Sequence, residues 1–258
     1  MNDPRWAVIT GASSGIGAEM ARIYAARGRS LVLTARRADR LATLKAEIEA
    51  RSPTLRIETI VLDLEQPDGA EALVAELDRR GVETETLVNN AGFGLRGRFA
   101  TLPYDDQAAM LQLNVVTLTK LCRLALPGLI ARRRGGILNV ASTASFQAVP
   151  FMAAYAATKA YVLSLSEALH EESRRHGVVV TALCPGPTAT EFTIRADMEK
   201  SKLFERAMDA AAVAQIGIDG HEAGRAVVIA GATNKVGAIG AKLAPRFLVR
   251  RMAGWLQG

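Results

Sequence analysis

Short apolar runs alternate with amphipathic stretches along most of this chain. Trp6–Thr10 is apolar and opens into a Gly-rich turn, then a helix from about Gly17 to Arg27. Ser30–Thr34 reads as a second strand, followed by a charged amphipathic helix from Asp39 to about Arg51. Arg56–Leu62 and Asp68–Arg80 repeat the pair as a third strand and a third helix. Leu87–Asn89 is short and apolar and ends in Asn-Asn-Ala-Gly, and a long helical region runs from about Tyr104 to Arg134. Ile137–Ala141 looks like a buried strand, an Ala-rich helix reaches about His176, and Val178–Cys184 is a strand stopped by Pro-Gly-Pro. Alternation of this kind builds βαβ units. It predicts one α/β domain over residues 1–258, doubly wound, with a parallel sheet of about seven strands and helices on both faces.

Beyond Pro187 the pattern loosens. Thr188–Asp209 is polar and falls where a loop would overhang the carboxyl ends of the strands, so 188–209 is expected to cover the substrate. Ala210–Arg225 reads as a helix and Ala226–Ala230 as a last strand. The tail 234–258 carries five Lys or Arg and no acid, interleaved with Leu, Phe, Val and Trp255. Such a segment suits a membrane surface or a partner protein. The reading preferred here is a C-terminal helix, broken near Pro245 and packed on the body with its basic residues in water, because amphipathic helices mostly face a core.

Composition narrows the function. With 258 residues, 49% hydrophobic and 22% charged, the chain can bury a large core. No uninterrupted apolar run reaches the roughly 18 residues of a spanning helix, and the start lacks a signal-peptide pattern. The net charge of +6 fits a scattered basic surface and an anionic cofactor better than nucleic acid. Cys122 and Cys184 sit in apolar segments without metal spacing. They read as buried thiols, consistent with a cytoplasmic protein. His170, His176 and His221 form no ligand pattern, and no metal is expected.

Candidate chemistry concentrates in three places. Thr10-Gly11-Ala12-Ser13-Ser14-Gly15-Ile16-Gly17 stands between a strand and a helix. There, glycines let backbone N–H groups approach a pyrophosphate and the helix N-terminus attracts its charge. The second strand ends in Thr34-Ala35-Arg36-Arg37. An acid at that point would hold a ribose 2′-hydroxyl; Arg36, with Ser13 or Ser14 opposite, suits a 2′-phosphate instead and argues for NADP(H) over NAD(H). Asp63, followed by Leu64, and Asn90-Ala91-Gly92 lie at carboxyl strand ends, where open sheets bind ligands. Asp63 could meet an adenine amine or only cap its turn, and the Asn pair could be a plain loop. Finally, Ser142 closes a strand, and Tyr155 and Lys159 are four apart on one helix face. A neighbouring ammonium favours the phenolate, so Lys159 is expected to lower the Tyr155 pKa and make it a proton donor and acceptor near neutral pH. Asn114, among Leu111, Leu113 and Val115, is either a satisfied core amide or a relay group.

Taken together, TGASSGIG at 10–17, Asp63, NNAG at 89–92, Asn114, Ser142, YAATK at 155–159 and PGPTAT at 185–190 resemble the classical short-chain dehydrogenase/reductases, from about Trp6 to Thr190. The resemblance implies a Rossmann-like sheet, a nicotinamide cofactor and a catalytic tetrad of Asn114, Ser142, Tyr155 and Lys159. Tyr155 would be the acid in reduction and the base in oxidation. Lys159 would tune it and hold the ribose, Ser142 would bond the carbonyl oxygen, and Asn114 would hold a relay water. Gly11, Ser13, Ser14, Gly15, Ile16 and Gly17 would surround the pyrophosphate, and Pro185, Gly186, Thr188 and Thr190 the nicotinamide. The expected reaction interconverts a ketone or aldehyde and its alcohol, in a homodimer or homotetramer. Two other readings are a catalytically idle dinucleotide-binding sensor or scaffold, and a membrane-surface reductase of lipid-like carbonyls. Phe93, Phe146, Phe151, Met152 and Phe192 suggest an apolar substrate, and could equally be packing residues. Two departures stand out: Ala141-Ser142 replaces the usual Ser-Ser, and the usual closing Gly-Gly gives way to the basic tail.

Overall fold

A computed structural model of the chain describes residues 5–192 and 207–257. Its centre is a seven-stranded, all-parallel sheet in the order β3-β2-β1-β4-β5-β6-β7. The strands are β1 (Trp6–Thr10), β2 (Ser30–Ala35), β3 (Ile57–Val61), β4 (Thr84–Asn89), β5 (Gly136–Val140), β6 (Val179–Cys184) and β7 (Val227–Ile229). β1 and β5 are buried at every position, which requires cover on both faces. That is why they read as continuous apolar runs rather than alternating ones. The cover comes from α1 (Gly15–Ala26), α2 (Ala38–Arg51), α3 (Gly69–Arg79), α4 (Tyr104–Leu111), α5 (Leu118–Arg132), α6 (Ala153–Ser173) and α7 (Ala210–Glu222). Two buried clusters flank the sheet, one containing Leu73, Met110, Leu129 and Val162, the other Met20, Tyr24, Leu41 and Ile218.

The strand order reverses between β1 and β4, so their carboxyl ends splay apart and open a crevice there. The region read as one helix over 104–134 is interrupted: Gln112–Thr117 forms a π-helical segment between α4 and α5, with Asn114 inside it. The full run Tyr104–Arg132 is long and apolar enough to cross a membrane by length and composition. Its Met110, Leu113, Leu118, Leu121 and Leu129 are buried in the core, which accounts for the apolar character.

The tail departs from the expected packing. It forms two helices, α8 (Ala232–Leu243) and α9 (Arg246–Gln257), broken near Pro245 as expected. Their larger apolar side chains nevertheless face water: Val236 is 72% exposed, Leu243 81%, Met252 66% and Trp255 84%. Among the tail residues whose burial is described, only the small Ala238 and Ala253 are buried. These helices are anchored by narrow small-residue faces, and the broad apolar faces point outward.

Candidate active site

The first turn is shaped by steric limits. Gly11 and Gly15 have φ of +65° and +55°, the left-handed region that glycine enters without strain. A side chain on Gly11 would meet Ala91 Cα at 2.9 Å, and one on Gly17 would meet Gly11 O at 2.5 Å. Asn90 pins the turn from the other side of the crevice. Its Nδ2 donates to Thr10 O at 2.9 Å and Gly11 O at 3.1 Å, and Thr10 Oγ1 accepts from the N–H groups of Asn90 and Ala91. Gly17 thus serves close packing of α1 and does not line the cavity. Asn89, the other half of the pair, points into the core. There its Nδ2 donates to Asn139 Oδ1 at 2.9 Å, and Asn139 donates to Ser166 Oγ at 2.9 Å. This buried polar chain fixes α6 against β4 and β5.

A cavity of about 750 Å³ runs along the crevice from the Gly-rich turn to Ser142, Tyr155 and Lys159. Gly11, Ser13, Ser14, Gly15, Ile16, Arg36, Asp63, Leu64, Asn90, Ala91, Gly92, Pro185, Gly186, Thr188 and Thr190 also line it. All but two of the expected catalytic and cofactor-binding residues therefore line this one cavity. The exceptions are Gly17 and Asn114, which stand behind it.

Ser142 follows β5 in extended conformation, and its Oγ accepts from Ala144 N at 3.1 Å. Tyr155 and Lys159 are both buried on α6. Lys159 Nζ donates to Val140 O at 2.7 Å and lies 5.9 Å from the Tyr155 ring centre. Behind them Asn114 is wholly engaged at nitrogen. Its Nδ2 donates to Phe93 O at 2.9 Å and Thr158 Oγ1 at 3.2 Å, and its Oδ1 accepts from Phe93 N at 3.2 Å. Gly92 has room for no side chain: a Cβ there would sit 2.8 Å from Asn114 Oδ1 and 3.6 Å from Lys159 Nζ.

The electrostatics reverse one expectation. Burial pushes the Tyr155 phenol up to about 12, with the Ser142 hydroxyl pulling the other way. Burial also draws Lys159 down to about 8. Desolvation disfavours both charged forms, and the ammonium is turned to the Val140 carbonyl. In this state Tyr155 is a held phenol, a proton donor.

A second correction concerns the arginines. The residue facing the serine pair is Arg37: its Nη2 donates to Ser13 Oγ at 3.0 Å and Ser14 Oγ at 2.8 Å. Arg37 Nη1 also pairs with Glu191 at 2.7 Å, while Arg36 turns to Glu65 at 3.0 Å. Asp63 caps its own turn, accepting from Glu65 N at 3.0 Å. Arg37 carried a signal in its doubled arginine, but which of two neighbours meets the serines depends on how α2 begins.

At the far end Phe93, Gln147, Val149, Met152, Phe192 and Ala253 line the cavity. Phe192 tilts against Tyr155 with ring centres 5.4 Å apart. Phe146 lies instead beneath Lys242 Nζ, 5.1 Å from its ring, and neither it nor Phe151 lines the cavity. Of the expected substrate loop 188–209, residues 193–206 lie outside the described residues. Ala253 had no sequence signal, because only the folded tail brings α9 to this wall.

Residues 5–201 match the family model described as short chain dehydrogenase. A very-long-chain 3-oxoacyl-CoA reductase of Bos taurus is 35% identical over 191 residues, 72% of this chain and 60% of that protein, so the match spans under two thirds of the relative's length. An uncharacterized oxidoreductase of Mycobacterium tuberculosis is 38% identical over 73% of this chain and 75% of its own. Among solved structures, a short-chain dehydrogenase from Sphingobium yanoikuyae in complex with NADPH aligns with TM-score 0.84 and 32% identity, covering 91% of this chain and 92% of that one. A Burkholderia phymatum relative in complex with NAD aligns with TM-score 0.80 and 26% identity, covering 92% of each. With the crevice, its glycine turn and the Ser142–Tyr155–Lys159 cluster, these matches show that the chain belongs to the short-chain dehydrogenase/reductase family.

Proposed function

We propose that the chain is an NADP(H)-dependent oxidoreductase that interconverts a ketone or aldehyde and its alcohol, with an apolar substrate. The observation that carries this reading is a single cavity joining the glycine turn at the start of α1 to Ser142, Tyr155 and Lys159. The donor set fits a dinucleotide: backbone approach at Gly11 and Gly15, a helix N-terminus for phosphate, and Arg37 with Ser13 and Ser14 for a 2′-phosphate. The nicotinamide would supply or take up the hydride.

The chain's own residues handle the oxygen and the proton. In reduction, Ser142 Oγ donates to the substrate oxygen and stabilises charge gathering there. Tyr155 then gives its phenolic proton to that oxygen; a phenol raised to about 12 holds this proton through neutral pH. Lys159, still an ammonium below about 8, stabilises the phenolate that remains. Asn114 holds the Phe93 backbone to Thr158 on α6, so it positions the Gly92 segment beside Lys159, and one lone pair of its Oδ1 remains for a water. Exposed Leu111, Val116, Leu124 and Tyr161 on the 104–132 run and α6 support a homo-oligomer.

The decisive measurement follows NADPH absorbance across a carbonyl and alcohol panel. Tyr155→Phe should cut turnover by a factor of about 100 or more while NADPH affinity stays within about twofold. Normal turnover in that variant would remove Tyr155 from the chemistry.

A further inference from the structure

The outward faces of α8 and α9 carry a run of exposed apolar side chains that the catalytic reading leaves unused. On α8, Val236, Ile239 and Leu243 recur at i, i+3 and i+7, one helical face, and are 72%, 48% and 81% exposed. On α9, Leu248, Met252 and Trp255 recur at i, i+4 and i+7, with Phe247 beside them, and all are exposed. Each helix has its amphipathic sense turned outward. Around these faces lie Lys235, Arg246, Arg250 and Arg251, all exposed, while Lys242 leans back over Phe146. Residues 232–258 contain no Asp or Glu.

We propose that α8 and α9 form a docking surface for a lipid bilayer bearing anionic headgroups. Charge decides between this occupant and a second copy of the chain. A two-fold interface centred on this surface would set one acid-free cationic tail against another, and like charges brought together without counter-charges oppose association. An anionic bilayer accepts both parts of the surface: acyl chains take the Leu, Met and Trp side chains, and headgroups take the arginines. The position has a consequence for the site. Ala253, on the opposite side of α9 from Met252 and Trp255, lines the apolar end of the cavity, and Gly254 packs on Pro150. A single helix therefore separates the bilayer surface from the substrate end, which suits an amphiphilic carbonyl drawn from lipid.

The test uses the full chain without cofactor or substrate, so its failure leaves the catalytic reading standing. Sedimentation with vesicles of phosphatidylcholine alone and with phosphatidylglycerol added, at low and high salt, should show binding only to the anionic vesicles, weakened by salt. Trp255 emission should shift to the blue on binding, whereas Trp6 is already buried in β1. Leu248→Glu/Met252→Glu should abolish binding, and Arg246→Gln/Arg250→Gln/Arg251→Gln should lower partitioning roughly a hundredfold. These side chains face water, so thermal unfolding of both variants should match the parent and report that they are folded. Two results would overturn the proposal: parent protein left in the supernatant with anionic vesicles at low salt, or an oligomer that Leu248→Glu/Met252→Glu breaks into monomers by light scattering.

Discussion

Arg36 and Arg37 are neighbours in the chain and face different groups. Arg37 reaches Ser13, Ser14 and Glu191, while Arg36 is held by Glu65. A 2′-phosphate entering beside the serines would compete with Glu191 for Arg37. Charge-assisted hydrogen bonds contribute about 1.5–3 kcal/mol, so Arg37→Ala should raise KM for NADPH roughly ten- to hundredfold and leave NADH nearly unchanged. Arg36→Ala should have the smaller effect, and equal losses with both cofactors in Arg37→Ala would assign it to structure alone. Lys159 gives a pH test. Burial lowers it to about 8, so the ammonium is lost as pH rises through that value. kcat/KM for carbonyl reduction should fall above about pH 8, and Lys159→Arg, which stays charged, should lack that limb even if slower. A profile flat from pH 7 to 9.5 in the parent would contradict the role.

Between elements, buried polar contacts set how helices meet the sheet. Asn89, Asn139 and Ser166 tie α6 to β4 and β5, and α6 carries Tyr155 and Lys159. On the other side His221 ties α7 to β6: its Nδ1 lies 2.9 Å from Thr181 Oγ1, whose own proton goes to Arg225 O at 2.7 Å. The hydroxyl has one proton to give, so His221 Nδ1 is the donor there. Burial, helped by the Arg29 cation, draws His221 down to about 4. The unfolded ring takes up its proton near pH 6.5 and the folded one does not until about 4. Stability is therefore full above about 6.5 and falls as pH drops from there to about 4, by on the order of 3 kcal/mol. Urea unfolding at pH 7.5 and 4.5 should show this loss, and His221→Gln should flatten it. An unchanged slope in the variant would place the pH dependence elsewhere.

Taken as a whole, the molecule was readable wherever local chemistry and burial agree. The central strands β1 and β5 were legible because both faces of the sheet are covered there, which leaves no solvent-facing side to break the runs. The site was legible because glycine turns and carboxyl strand ends put Gly11, Asn90, Ser142 and Pro185 at one crevice in any doubly wound sheet of this order. Three features were not. The π-helical turn at Asn114 follows from contacts with Phe93 and Thr158, distant in sequence. The raised Tyr155 pKa follows from burial, which helical spacing to Lys159 cannot report. The tail has the same amphipathic pattern whether its apolar face turns in or out; only its docking through Ala238 and Ala253 decides that it turns out. Sequence determines the alternation of elements, the glycine turn and the helical spacing of Tyr155 and Lys159, because these depend on local backbone limits and residue chemistry. Tertiary structure decides which arginine meets the serines, how far each buried group is desolvated and which face of the tail meets water, because those depend on neighbours from elsewhere in the chain.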